Sequence, residues 1–182
     1  MASRTVSPPL AQLPNALTIA RLAVIPVVAV LILDSDGGHS VPAAILFGAA
    51  GITDQIDGFL ARRWHVESAF GKIADPLADR LLIDVAVVLL WHAGRLPLAA
   101  LAIPARDVAL IAATPLVVGR GYRFEVNILG KAATWVLYAS LTGIMLTAAG
   151  TDWPLVLFWI GFGLGVLAVV SYARKARVEI LA

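Results

Sequence analysis

Cysteine is absent from the 182 residues, which excludes disulfides, thiolate metal ligands and a cysteine nucleophile. Histidine is scarce: His39, His65 and His92 lie far apart, so no zinc site of ordinary spacing can be drawn from them. Charge is equally thin. Charged residues make up 14% of the chain, against about 25% in an average soluble domain. Formal net charge is only +2, which gives no broad basic surface, and no nucleic-acid partner is expected. What fills the space is apolar: 60% of residues are hydrophobic and mean hydropathy is +0.88. A small globule leaves much of its surface exposed and cannot hide such a composition. The chain is therefore read as a membrane protein.

The apolar residues fall into six runs, 16–33, 41–61, 75–93, 97–119, 130–149 and 153–172. Each approaches the roughly 20 residues that a helix needs to cross a bilayer. Backbone polar groups in lipid must be satisfied within the segment, so the runs are expected to be helices, giving an all-α protein of six transmembrane spans. The joints are too short for a second domain, and one membrane domain is expected over 1–182. Residues 1–14, with Ser7-Pro8-Pro9, read as a loose cytoplasmic lead. No small-residue cleavage pattern follows the first apolar run, so that run is expected to be retained. Basic residues set the orientation. Arg4, Arg62, Arg63, Lys72, Arg120, Arg123, Lys131, Arg174, Lys175 and Arg177 fall on one side, and Arg95 alone on the other. Both termini are thus expected in the cytoplasm, with the protein in the plasma membrane.

Acids inside such runs are costly, and an intramembrane carboxylate is by default a functional hypothesis. Asp54 and Asp57 lie three apart near the cytoplasmic end of the second run, and Asp75 and Asp79 four apart near the start of the third. Both spacings put a pair on one helix face. The short joint between the runs makes their ends neighbours, so four carboxylates converge on one cytoplasm-facing pocket. Hard oxygen donors without cysteine or histidine suit Mg²⁺ or Mn²⁺, and two such ions form a clamp for displacement at phosphorus. Gly58 and Gly71 would let a base or phosphate approach the backbone. Arg62 has a planar fork suited to phosphate. Two ordinary readings stand beside this one. Asp75-Pro76 resembles an N-cap followed by a first-turn proline, and Asp54 or Asp57 could pair with Arg62 or Arg63. Neither accounts for all four acids together with both glycines. Asp84 is read as structural, paired with a basic residue, and Asp107 as the partner of Arg106.

Written out, Asp54-x-x-Asp57-Gly58-x-x-Ala61-Arg62, eight residues, then Gly71-x-x-x-Asp75-x-x-x-Asp79 resembles the signature of the CDP-alcohol phosphotransferases at every fixed position. Leu13-Pro14-Asn15-x-Leu17-Thr18-x-x-Arg21 and Leu129-Gly130-Lys131-Ala132-Ala133-Thr134 resemble the bacterial phosphatidylglycerophosphate synthase and actinobacterial cardiolipin synthase branch. The resemblance implies attack by an acceptor hydroxyl on the β-phosphorus of CDP-diacylglycerol, with CMP leaving. It implies Asp54, Asp57, Asp75 and Asp79 as metal ligands, with Asp79 also taking the proton. It implies Gly58, Arg62, Ser68 and Gly71 as contacts to the CDP-lipid, and a homodimer among membrane lipids. Arg106 and Lys131 are the candidates for holding an anionic acceptor, glycerol 3-phosphate or, in a variant making cardiolipin, phosphatidylglycerol. A carboxylate-based cation or proton transporter is the rival of a different class. It is disfavoured because the acids cluster at one mouth without the broken midplane helices of transporters. An intramembrane prenyl transferase ranks behind both, because its acids are spaced differently.

Overall fold

The structure, a computed structural model, describes residues 8–64, 71–118 and 128–181. Six α-helices make up almost all of it: α1 (Pro8–Leu33), α2 (Val41–Trp64), α3 (Gly71–His92), α4 (Ala102–Val118), α5 (Ile128–Leu146) and α6 (Asp152–Leu181). Short 3-10 turns, Asp36–Gly38 and Leu98–Leu101, precede α2 and α4, and no strand occurs among the described residues. Large apolar side chains stay exposed on every helix, among them Ile19, Ile45, Val88, Val108, Trp135 and Leu167. Such an exterior suits lipid rather than water. Two stretches, Ile128–Leu146 and Asp152–Ser171, are long and apolar enough to cross a membrane, and Ile19–Leu33 and Val41–Thr53 are shorter apolar helices.

Helix boundaries depart most from the apolar runs at four places, by four residues or more. The first helix begins at Pro8, not after residue 14, which replaces the loose lead over 8–14. Prolines 8 and 9 fall in its first turn, where a missing N–H removes no intrahelical bond. Residues 1–7 lie outside the described part. The third helix begins at Gly71, so Asp75 lies inside it and is not an N-cap. The fourth run opens as the 3-10 turn before α4. The sixth helix runs on to Leu181 because Ala173-Arg174-Lys175-Ala176-Arg177 keeps high helix propensity after hydropathy has fallen.

Three joints meet at one end of the bundle and close the C-terminus of α5. The last carbonyls of a helix have no intrahelical donor. Here Ser40 N–H donates to Met145 O at 2.9 Å. Arg95 Nη2 donates to both Ile144 O and Thr147 O at 2.7 Å. His39 Nε2 lies 3.1 Å from Leu146 O, a bond made by the Nε2–H tautomer. Gly38, at φ +77, lies so close to Ala93 and Arg95 that a Cβ would come within 3.2 Å of both, which ties the α1–α2 joint to the end of α3. The basic residue that breaks the ten-to-one asymmetry is thus a helix cap, and partial burial lowers its pKa from the ordinary arginine value. Arg95→Ala should cost about 1–3 kcal/mol, since bonds from a charged donor are lost and two carbonyls are left unsatisfied. Thermal unfolding in detergent would show the loss, and an unchanged midpoint would rule out this capping role.

Below that end the core is continuous. Val28 and Ile32 of α1 join Ala44 and Phe47 of α2, Leu82, Ala86 and Leu90 of α3, Leu141 of α5 and Phe158 of α6 in one buried cluster. Phe47 and Tyr138 face each other with ring centroids 5.0 Å apart. Gly51 brings α2 and α5 into contact: a Cβ there would fall 2.6 Å from the Tyr138 ring. Small residues permit this close backbone approach in lipid, where packing rather than the hydrophobic effect associates helices.

Candidate functional site

The capped end gives a common origin from which axial positions can be measured. With a rise of 1.5 Å per residue, Asp54 lies about 20 Å along α2 from Val41, and Asp57 about 24 Å. Measured along α3 from His92, Asp79 lies about 20 Å away and Asp75 about 26 Å. The helices run in opposite directions from the same end, so both carboxylate pairs are carried to one level near the far end. Gly58 and Arg62 follow on the last turns of α2, and Gly71 opens α3. The side chains of Asp54, Asp57, Arg62, Asp75 and Asp79 lie outside the described part, as do the surroundings of Gly58 and Gly71 and the whole of Ser68. The donor set, four aspartates at matched height on two adjacent helices, fits a hard divalent cation. Among the described side chains no group of three or more acids and histidines forms a second candidate.

Next to this level the described side chains build a charged assembly between α3 and α4. Asp107 is buried, and its Oδ1 accepts from Arg106 Nε at 2.9 Å and from Arg80 Nη1 at 3.4 Å. Arg106 Nη2 also lies 2.9 Å from that oxygen. The expected Arg106–Asp107 pair is therefore present. Asp84 differs from its expected role: its Oδ1 is buried without a hydrogen-bond partner, although Arg106 and Arg80 are among the charges acting on it. The bond from Arg80 goes instead to Asp107 on the facing helix.

Both guanidiniums keep part of their surface open, with side-chain exposures of 43% for Arg80 and 33% for Arg106. An anion could thus reach them, whereas Asp107 is only 3% exposed and serves as their common anchor. Arg106 Nη1 also lies against Gly165 of α6. Gly165 is about 20 Å along α6 from Asp152, and Ala133 about 20 Å along α5 from Leu146. The guanidinium therefore sits at the level of Asp54 and Asp79, although its backbone starts near the opposite end. Lys131, exposed, lies two residues from Ala133 toward the start of α5. Arg21 of α1 is buried about 18 Å from Leu33, at nearly the same level.

Sequence reasoning assigned no role to Arg80. The signal is a cation inside one of the apolar runs, directly after a signature aspartate. Gly165 was also passed over, although Gly161 and Gly165 form the small-x-x-x-small spacing of helix interfaces.

A family model described as CDP-alcohol phosphatidyltransferase matches residues 11–169. The chain is 33% identical over 148 residues to a Bacillus subtilis protein named CDP-diacylglycerol–glycerol-3-phosphate 3-phosphatidyltransferase, covering 74% of this chain and 77% of that one. It is 34% identical to a Streptomyces coelicolor protein named cardiolipin synthase (CMP-forming), covering 93% of this chain and 86% of the relative. An Escherichia coli K12 protein with the same name as the Bacillus one is 29% identical, covering 93% of this chain and 97% of its own.

Proposed function

This chain belongs to the CDP-alcohol phosphatidyltransferase family, and on that premise we propose that it transfers a phosphatidyl group from CDP-diacylglycerol to glycerol 3-phosphate. The products are phosphatidylglycerophosphate and CMP. The observation that carries the reading is the matched height of Asp54 and Asp57 on α2 with Asp75 and Asp79 on α3. Asp54, Asp57, Asp75 and Asp79 are the residues that would hold two Mg²⁺ or Mn²⁺ ions. When bound, the ions supply neutralisation of the diphosphate and polarisation of its phosphorus. Gly58 and Gly71 leave room for the cytidine, while Arg62 and Ser68 contact the CDP group. Asp79 accepts the proton of the attacking hydroxyl as the new phosphorus–oxygen bond forms and the bond to CMP breaks. Arg106 and Lys131 hold the acceptor phosphate by charge-assisted hydrogen bonds.

The protein works as a single membrane domain of six spanning helices in the plasma membrane, as a homodimer. Its termini and its carboxylate mouth face the cytoplasm, a reading supported by the basic-residue asymmetry. The name of the Streptomyces relative favours one second reading, cardiolipin synthesis with phosphatidylglycerol as acceptor.

An acceptor panel in sealed inside-out vesicles tests these readings together. CDP-diacylglycerol is offered with glycerol 3-phosphate, phosphatidylglycerol, inositol 1-phosphate or serine. Released CMP and product mass are measured with Mg²⁺, with Mn²⁺ and with chelator. The expected result is metal-dependent CMP release with added glycerol 3-phosphate. Product with phosphatidylglycerol alone selects the cardiolipin reading. Synthesis from glycerol 3-phosphate only in right-side-out vesicles reverses the orientation, and no CMP with any acceptor overturns the transferase reading.

A further inference from the structure

We propose that Gly165 is a positioning residue for the acceptor: lacking a side chain, it lets the Arg106 guanidinium lie on the backbone of α6 at the level of the signature carboxylates. The inference rests on the proposed role of Arg106 in holding the acceptor. A Cβ built at Gly165 would fall 3.0 Å from Arg106 Nη1 and 4.0 Å from Ala133 Cβ, so α4, α5 and α6 converge there. The first distance is tighter than ordinary carbon–nitrogen contact, whereas the second is comfortable.

The guanidinium is fixed from two sides. Asp107 Oδ1 takes both Nε and Nη2 at 2.9 Å. Those two donors lie along one edge of the planar fork, and Nη1 projects beyond it. Gly165 faces Nη1. A side chain at 165 would push against this free end while Asp107 still held the other edge. The guanidinium would have to tilt about its bonds to Asp107 by a few tenths of an ångström. A displacement on that scale weakens an aligned ionic hydrogen bond to the acceptor phosphate.

The two neighbouring glycines of α6 show that the contact belongs to position 165 alone. At Gly161 an added Cβ would meet Leu137 Cγ at 3.0 Å and Leu137 N at 3.2 Å, including backbone that cannot swing aside. At Gly163 nothing lies within 4 Å. One helix thus carries a packing glycine, an unconstrained glycine and a glycine facing a functional cation. The atom facing Gly165 is the far end of a flexible side chain, so Gly165→Ala should fold and should move only the arginine.

The test uses the full chain in nanodiscs, with Gly165→Ala, Gly163→Ala and Arg106→Ala alone, and with Gly165→Ala combined with Arg106→Ala. Measured quantities are kcat, KM for the acceptor that the panel identifies, KM for CDP-diacylglycerol, and thermal unfolding. Gly165→Ala should raise acceptor KM about tenfold, the scale of one weakened bond to a charged group, and leave donor KM, kcat and unfolding unchanged. Gly163→Ala should behave as wild type. In the Arg106→Ala background, Gly165→Ala should add nothing. An additional rise there, or a loss of stability without a change in acceptor KM, would overturn the positioning role. Arg106→Ala with unaltered acceptor KM would overturn the acceptor reading and this inference with it. If Arg106→Ala raises acceptor KM and Gly165→Ala does not, only the role of Gly165 falls.

Discussion

Turnover should fall about 10²–10⁴-fold in Asp79→Asn, the usual range for removing a general base, while CDP-diacylglycerol still binds. Asparagine keeps the size of aspartate and one oxygen but cannot take a proton at neutral pH. Asp79 stands on α3 about 20 Å from the capped end, level with Asp54 on α2. Three aspartates remain in the variant, so the metal-bound diphosphate keeps most of its ligands. Donor binding and single-turnover CMP release, measured on protein of unaltered unfolding temperature, separate the two effects. Equal loss of both would make Asp79 a binding ligand only, and full turnover would remove it from the mechanism.

Asp107→Leu should be strongly destabilising. Asp107 is buried and its Oδ1 anchors Arg80 and Arg106 together. Removing one member of a buried ion pair leaves uncompensated charge and costs about 3–5 kcal/mol. The lower part of that range is expected, since both arginines keep partial exposure. Asp84, with its unpartnered buried oxygen, also stands near enough to redirect one of them. The readout is thermal unfolding of Asp107→Leu against Asp107→Asn, which keeps an acceptor oxygen. A drop of less than 1 kcal/mol in the leucine variant, by the same bookkeeping of lost charge pairs, would show that the assembly is not held by Asp107.

The six helices were legible because they leave long apolar runs, and three of the five joints are marked by Gly37, Gly94 and Gly150. Their ends were less so, because hydropathy and helix propensity part company there. Residues 71–74 and 173–181 are helical without being uniformly apolar, and Pro8 and Pro9 look like breakers yet suit a first turn. The paired aspartates could be read from spacing because three and four residues are the repeat of a single helix. Contacts between helices left no such trace. Nothing in the local sequence relates Arg80 to Asp107, twenty-seven positions apart, or tells that Gly165 lies beside Arg106. The adjacent pair Arg106–Asp107 was visible, but the level reached by its guanidinium depends on α6.

The closure of α5 by Ser40, His39 and Arg95 also has an order in time. All three donors belong to segments synthesised before α5, and the carbonyls they meet come last. By the time the α5–α6 hairpin is synthesised, the joints on either side of α2 and α3 already carry the donors that its polar tip meets. A nascent chain arrested before α5 would carry that receptor unfilled, with Arg95 lacking both of the carbonyls it binds in the finished bundle.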